Sequence, residues 1–391
     1  MRIFDYFFNR YGIPLLVVGS TGTGIKLYFG KTGNLYFVDS DSLNSGDKVN
    51  PDLPIADTPS IPATVLQPAK RKVVTFSEKI DNKRFKVFTQ DTKKEVIRNA
   101  MFQRLYPNKD DHFSYSENQL FTGGVVFDFN AKTFESKDKT KHLKTIAKPD
   151  EGKIEEFRNA CLQALQKEYP EDEEEKNKNQ VAKLREWCTE PKIKDVLSRH
   201  KFHVFSDNNY KDKVDESIKQ IIFSWFKAEG DKKWWTKQSF LDEEDVKKIL
   251  AGKEDKGFSD ASEINGDHIK VVKDKCLKTL EKEFERENFY LTKDFIDQMD
   301  GKPDEKPKVD LFQEVALFCS VPTTAEDYVK NAMQGNFKED FEEKDKDDYC
   351  YVEGKKPEDY KKISTTDPFE GKTFWCAVRL LYKTNNPPKK P

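Results

Sequence analysis

Apolar residues recur at spacings of three and four in two long segments of the chain, which is the pattern of an amphipathic α-helix. The two apolar faces share one frame without a gap. The first comprises Ile154, Phe157, Cys161, Leu162, Leu165 and Tyr169, and the second comprises Ile269, Val272, Cys276, Leu277, Leu280 and Phe284. The agreement of the two frames predicts a duplicated helical unit.

Shorter patterns surround these two segments. Further amphipathic helices are predicted at Val181–Trp187, Ile193–Leu197 and Val214–Phe226. Strand-like alternation is confined to Lys72–Phe76, Arg84–Thr89, Gly124–Phe129 and His203–Phe205. The acidic stretch Glu171–Lys178 is predicted to be a solvated loop. The expected fold class is therefore mainly α with minor β, built from tandem small helical modules behind an N-terminal hydrophobic segment and a linker.

The six cysteines reinforce the repeat, because they fall into three consecutive pairs and a large aromatic residue precedes each second member. The pairs are Cys161 with Cys188, Cys276 with Cys319, and Cys350 with Cys376, and the aromatics are Trp187, Phe318 and Trp375. The motifs Cys188-Thr189-x-Pro191 and Cys319-Ser320-x-Pro322 also correspond. Such self-similarity at long spacing is typical of repeat proteins or tandem modules.

A fainter copy precedes the first pair, since Arg98–Leu105 resembles Arg158–Leu165 with Met101 in place of the cysteine. The last unit keeps its cysteine pair but lacks the Cys-Leu-x-x-Leu helix. The expected modules are a Cys-free degenerate module over 73–150, two Cys-pair modules over 151–264 and 265–337, and a truncated terminal module over 338–391.

Disulfides within each module are the first interpretation of the pairs. Cys161 and Cys188 close a loop of about 28 residues, for which the chain-entropy model gives roughly 3–4 kcal/mol of stabilisation. Two alternatives stay open: six reduced thiols buried as small apolar residues, or metal and redox chemistry. The chain has no Cys-x-x-Cys spacing, so the usual zinc and thioredoxin-type motifs are absent from the sequence.

The segment 1–30 contains an uncharged, largely apolar run that is expected to be a membrane anchor or signal segment. Its apolar members are Ile13, Leu15, Leu16, Val17, Val18, Ile25 and Leu27. Extended to Phe29, the run has about the minimum length of a membrane span. Basic residues before it favour a cytoplasmic N-terminus with the remainder exported. A buried strand followed by a turn is the alternative.

The same run also resembles the opening of a phosphate-binding loop, because Leu15–Val18 leads into a Gly- and Thr-rich stretch. Such a loop needs Lys directly after its last Gly and then Ser or Thr. Here Ile25 follows Gly24, and Lys26 arrives one residue late. A divergent nucleotide-binding protein that uses Gly19–Lys26 is therefore an alternative function.

A Pro-rich linker over 31–72 follows, with prolines at 51, 54, 59, 62 and 68 among small and polar residues. Such a stretch can act as an extended spacer between an anchor and the later modules. A Pro-rich surface loop within one domain is the alternative.

Composition narrows the function classes. Charged residues make up 35% of the 391 residues, yet the formal net charge is only −2. This balance argues against a dedicated nucleic-acid-binding protein, which would show clustered basic residues on one face. We expect no catalytic residues, no cofactor and no metal site.

Two weaker candidates for chemistry have simpler structural interpretations. His200-x-x-His203 with Cys188 could be drawn as a zinc site, but satisfied or surface imidazoles are the simpler interpretation. Trp234 and Trp235 could stack on a ligand, but adjacent tryptophans more often contribute one ring to the core and one to its rim.

Together, the short hydrophobic segment, the polar stalk, and the repeated Cys-Leu-x-x-Leu and Trp187-Cys188-Thr189-x-Pro191 motifs resemble the paralogous families of uncharacterised proteins in haemotropic mycoplasmas. The resemblance covers most of the chain. Its departures are the missing helix motif around Cys350, Phe318 in place of Trp, and the Cys-free residues 73–150. The resemblance implies an exported or membrane-tethered protein for host-cell contact or antigenic variation.

The expected function is accordingly non-enzymatic surface recognition, with the bulk of the chain outside the cell. Expected partners are a host surface protein or an antibody, with the membrane contacted through the N-terminal segment and no nucleic acid. An intracellular scaffold of charged helices, located in the cytoplasm, remains the third possibility.

Overall fold

The computed structural model describes residues 73–383, apart from 110–111, 116–118, 171–173, 254–255, 287–291 and 299–307. The predicted membrane segment (Ile13, Leu15, Leu16, Val17, Val18, Ile25 and Leu27), the linker over 31–72 and the Gly19–Lys26 loop lie outside the described residues. None of the helices within the described ranges is long and apolar enough to cross a membrane.

Helices dominate the described chain, so the expectation of a mainly α fold with minor β is confirmed. In chain order they are α1 Lys94–Met101, α2 Glu151–Gln166, α3 Glu174–Trp187, α4 Ile193–Arg199, α5 Lys211–Phe226, α6 Glu243–Ile249, α7 Gly266–Leu280, α8 Lys293–Gln298, α9 Leu311–Phe318, α10 Ala325–Asp327, α11 Glu343–Lys346, α12 Pro357–Lys361 and α13 Phe374–Leu381. A π-helical turn, Tyr328–Ala332, continues α10.

The two predicted helices with a shared frame are α2 and α7, and local capping explains where each begins. The Asp150 side chain accepts a hydrogen bond from Lys153 N at 2.9 Å. Asn265 forms a capping box with His268 at the start of α7. These bonds satisfy main-chain N–H groups that a helix start leaves without partners. One residue of the two predicted apolar faces lies on the surface: Leu277 on α7 is 40% exposed.

The remaining helix predictions are confirmed, and one loop prediction is partly wrong. Predicted segments at 181–187, 193–197 and 214–226 lie in α3, α4 and α5. The acidic stretch Glu171–Lys178 was predicted to be a loop, and this is wrong from Glu174 onward, where α3 begins; residues 171–173 lie outside the described ranges. Acidic residues are favourable in a first helical turn, where they face the positive end of the helix dipole.

The strands form a small antiparallel sheet in the order β1-β2-β3-β4, with β1 Tyr106–Lys109, β2 His112–Ser114, β3 Asp128–Glu135 and β4 His142–Ile146. Phe134 on β3 lies opposite Leu143 on β4, and both are buried. The predicted strand at Gly124–Phe129 overlaps only the start of β3. The other three predicted strands contain single bridges at Thr75, Val87 and Val204.

A continuous aromatic and aliphatic core joins these elements, and the described residues belong to one compact unit. α9 lies at its centre, since every residue from Phe312 to Phe318 is buried. A two-stranded ladder of β5 Asn336–Phe337 and β6 Tyr382–Lys383 closes the C-terminal end of the described chain.

Candidate functional site

All six cysteines are joined in the pairs expected from the sequence. The Cα–Cα distances are 5.3 Å for Cys161–Cys188, 5.2 Å for Cys276–Cys319 and 4.9 Å for Cys350–Cys376. These distances lie in the ordinary range for disulfides. Each sulfur-bearing residue is at most 1% exposed, so the bridges belong to the core and are shielded from reagents in solution.

The aromatic residue before each second cysteine anchors the bridge in that core. Trp187 Nε1 donates to Gln119 O at 2.9 Å, and Trp375 Nε1 donates to Gln313 O at 2.9 Å. Phe318 instead packs against Trp225 and Phe240, with ring centroids 5.3 Å apart in both contacts. A buried indole needs an acceptor for its N–H, and the main-chain carbonyls provide one.

The structure does not bring the weaker sequence candidates together as a reactive site. Cys188 is in a disulfide, while His203 stacks on Tyr210 with ring centroids 4.1 Å apart. Trp234 and Trp235 are 7% and 6% exposed, so neither ring presents a stacking surface. The described part of the chain contains no group of three or more His, Cys, Asp or Glu side chains that could hold a metal ion.

His200 lies instead at a buried polar junction between three distant parts of the chain. Its Nε2 faces Gln103 O, and its Nδ1 lies 2.7 Å from the Tyr328 hydroxyl oxygen. A carbonyl can only accept, so Nε2 carries the proton and Nδ1 accepts from the tyrosine. Burial lowers the pKa of His200 to about 3, and the Gln103 carbonyl only partly opposes that shift. The imidazole is therefore neutral at neutral pH.

Gln103 extends this junction through its amide. Its Nε2 donates to Glu186 O at 2.8 Å, and its Oε1 accepts from the Arg199 guanidinium. Arg104 Nη1 reaches Glu186 Oε1 at 3.1 Å. The residues directly after α1, the end of α3 and the end of α4 are thus connected by half-buried hydrogen bonds, and such networks rigidify a fold when their members have partners.

Two carboxyl groups on α9 complete the polar interior. Asp310, the N-cap of α9, accepts from Phe312 N at 3.1 Å and from Arg286 Nε at 2.8 Å. Glu314 accepts from Ser239 N at 2.7 Å and Ser239 Oγ at 2.6 Å. Burial raises the pKa of Asp310 to about 6, and the ion pair with Arg286 partly opposes this shift. Burial also raises the pKa of Glu314 to about 7, although the two hydrogen bonds from Ser239 favour a lower value.

This junction is the candidate functional site of the described chain: His200, Gln103, Tyr328, Arg286, Asp310, Glu314 and Ser239. The sequence reasoning missed it, because its members are separated by up to more than two hundred positions. One signal was available for Glu314, which is the charged residue of the mostly apolar helix α9. A carboxylate in such a helix is expected either to pair or to carry a proton.

Replacing His200 with Gln is expected to destabilise the protein by about 1–3 kcal/mol at pH 7.5, because buried hydrogen bonds lose their geometry. The pH dependence gives the clearer result. A lowered histidine pKa means that the stabilisation is complete above about pH 6.5 and is lost as the pH falls, at about 1.4 kcal/mol per pH unit. Urea unfolding from pH 7.5 to 4.5 should show a smaller loss in the variant than in the wild type. Equal losses would show that His200 does not stay neutral in the fold.

Comparisons with known proteins do not assign this chain to a family. No protein-family model matches the chain, no curated protein matches it, and no solved structure matches it.

Proposed function

We propose that this chain is an exported or membrane-tethered surface protein, in which disulfide-closed helical modules act by recognition and not by catalysis. The observation that carries the proposal is the engagement of all six cysteines in three buried disulfides. Disulfides persist in oxidising surroundings outside the cytoplasm and are rare where thiols are kept reduced. A chain with every cysteine bridged fits the former location.

Repeated main-chain pairing supports the modular part of the proposal. In three places, an extended segment makes two hydrogen bonds with the residues that directly follow a helix. The bonds are Phe76 N to Lys167 O with Tyr169 N to Val74 O, Ile193 N to Lys282 O with Phe284 N to Pro191 O, and Ala325 N to Ile363 O with Thr365 N to Thr323 O. The same pairing after α2, α7 and α12 supports a proposal of three related units.

A second contact recurs further along each segment. Val87, twelve residues after Thr75, bridges to Thr189, and Val204, twelve residues after Lys192, bridges to Ser320. In the third unit Asn336 pairs with Lys383 and Phe337 with Tyr382. Lys338 N donates to Leu381 O, as Phe88 N donates to Cys188 O and Phe205 N to Cys319 O. These contacts support units over 74–190, 191–322 and 323–383, which would replace the expected boundaries at 150, 264 and 337.

The third unit places its disulfide differently. Cys276 lies seven residues before the bridged Glu283, and the corresponding position before Ser364 is Pro357. Cys350 is therefore not the counterpart of Cys276. Leu381, which precedes the bridged Tyr382, takes the position of Cys319. The Trp375-Cys376 dipeptide therefore resembles Trp187-Cys188 in sequence, but it occupies a different position in its unit.

The proposed mode of action is binding through the densely charged outer surface of these units. The membrane would be reached through the hydrophobic segment around Val17, and the linker over 31–72 would hold the units away from it. The resemblance to the mycoplasma paralogues supports a host surface protein or an antibody as the partner.

The test is the thiol state of the protein taken from its native cells. Because the cysteines are buried, free thiols are blocked during lysis in denaturant, and the intact mass is measured before and after reduction and a second alkylation. We expect no blocked cysteine before reduction, six after it, and linked peptides for the three pairs. Six blocked cysteines before reduction would contradict export and favour the intracellular scaffold.

A further inference from the structure

Two carboxyl groups lie one helical turn apart on α9, and both are shut away from water. Asp310 is 3% exposed and Glu314 is 7% exposed. Arg286 bonds Asp310 through Nε at 2.8 Å, and this ion pair is itself buried. A second ionised carboxylate beside this pair would be a buried charge without a direct counter-ion, which is strongly unfavourable. The pair of acids therefore retains one proton near neutral pH.

Glu314 is the member that retains it. Both of its contacts are to the uncharged Ser239: Oε1 accepts from the N–H at 2.7 Å, and Oε2 lies 2.6 Å from the hydroxyl oxygen, to which the protonated carboxyl donates. Within the described ranges, no lysine, arginine or histidine nitrogen lies within 4.0 Å of its carboxylate. A carboxyl group that is buried beside a like charge holds its proton to higher pH.

Ser239 places this carboxyl directly beneath the surface. The residue is exposed, although its neighbours Gln238 and Phe240 are each 4% exposed. Gln238 Nε2 bonds Trp235 O and Leu241 O, both at 3.0 Å, and so fixes the shape of the turn over 236–241. The turn rests on α9 through Glu314. Ser239 is therefore an exposed residue in direct contact with the buried carboxyl.

The charged groups around Glu314 come from each neighbouring element. Asp310 on α9 and the nearby Lys293 at the start of α8 oppose each other, the first raising and the second lowering its pKa. Lys237 in the turn is held by Asp294 on α8 at 2.6 Å. The remaining groups are Arg286 bonded to Asp310, His200 on α4 against Phe312, Lys275 on α7 over Phe240, and Lys372 before α13 over Tyr349.

We propose that Glu314 is a proton-dependent latch, which holds the turn over 236–241 closed on α9 while protonated and loosens it when ionised. On ionisation the carboxyl O–H bond breaks, the proton passes to water and the electron pair stays on the carboxylate; no other covalent bond changes. Ionisation strengthens the two bonds that Ser239 donates, but burial outweighs them, since the pKa of Glu314 is raised despite both bonds. The charge gains hydration only if the turn moves away, because Phe312 to Phe318 are all buried. The response falls between about pH 5 and 8, since burial raises the pKa of Glu314 to about 7.

Hydrogen exchange of the turn amides tests the latch. Rates are measured on the full chain from pH 5.5 to 8 and divided by the intrinsic rate at each pH. A raised acid pKa gives stabilisation that is complete below the unfolded value and is lost as the pH rises through the folded one. The protection of amides 236–241 should therefore fall with rising pH by roughly tenfold or more.

Three variants identify the responsible group. Glu314→Gln keeps the size of the side chain and an acceptor for Ser239 N, and should lose most of the pH dependence. Ser239→Ala removes one donor to the carboxylate, so the dependence should persist with its midpoint at higher pH. Glu263→Gln is the matched control, because Glu263 also accepts from a serine, Ser259 at 2.8 Å, but is paired with Lys253 and has a lowered pKa. It should leave the turn unchanged.

The proposal is overturned if the wild-type turn shows constant protection across this pH range, or if the dependence survives in Glu314→Gln. Neither result depends on where the protein is located in the cell, so the latch and the proposed function fail separately.

Discussion

Replacing Cys276 and Cys319 together with alanine is expected to lower the free energy of unfolding by about 4 kcal/mol, the largest effect of any disulfide in the chain. The sequence separation is 43 residues, against 27 and 26 for the other two bridges. A longer closed loop removes more conformational entropy from the unfolded chain. Denaturant unfolding under oxidising conditions measures the difference.

The strongest check on this effect is reduction of the wild type. Cys276 and Cys319 are both fully buried, and alanine leaves no polar group in their place. The difference between variant and wild type should shrink to about 1 kcal/mol or less once both are reduced, because the packing change alone remains. A variant as stable as the oxidised wild type would show that this bridge does not constrain the fold. The Cys350→Ala and Cys376→Ala double variant is the matched comparison.

Replacing Arg286 with methionine is expected to destabilise the protein by about 3–5 kcal/mol at pH 7.5, because a buried carboxylate loses its counter-ion. The Arg286 and Asp310 side chains are 3% and 0% exposed. The guanidinium also lies 4.7 Å from the centre of the Phe312 ring, so packing contributes to the loss. Chemical unfolding of the purified variant measures it.

Two comparisons separate the charge effect from the packing effect. The deficit of Arg286→Met should shrink as the pH falls toward 5, since unpaired Asp310 then takes up a proton. Adding Asp310→Asn should recover part of the stability at pH 7.5, because asparagine still caps α9 without a charge.

Lys270→Met is the exposed control: the Lys270 and Asp274 side chains are 68% and 61% exposed, and such pairs contribute about 0–1 kcal/mol. A similar loss in both single variants would contradict a special role of the buried pair.

Several features followed from local sequence because local physics decides them. The apolar spacing around Phe157 and Val272 predicted α2 and α7, and the pattern at 214–226 predicted α5. A helix satisfies its main-chain hydrogen bonds within itself, so its existence depends mainly on residues a few positions apart. The loop prediction for the acidic stretch before Val181 failed because charge at a helix start is compatible with α-helix as well as with a loop.

The strands were harder to predict. Most of β3 and all of β4 were missed, because Lys132, Lys137 and the other charged residues of this hairpin hide the alternation of buried positions. The extended segments at Val87 and Val204 acquire their structure only from distant partners, Thr189 and Ser320. Pairing across about a hundred residues is not visible in a local pattern.

The sequence by itself determined the helical class, the two matched helices and the partition of the cysteines into pairs, since each depends on periodic spacing or on neighbours in the chain. Tertiary structure alone decided the junction around His200 and the burial of Glu314 beneath Ser239. Those properties depend on which side chains lie next to each other in a region from which water is excluded. Solvent exclusion and proximity set the protonation of these groups, and the linear order of residues carries neither.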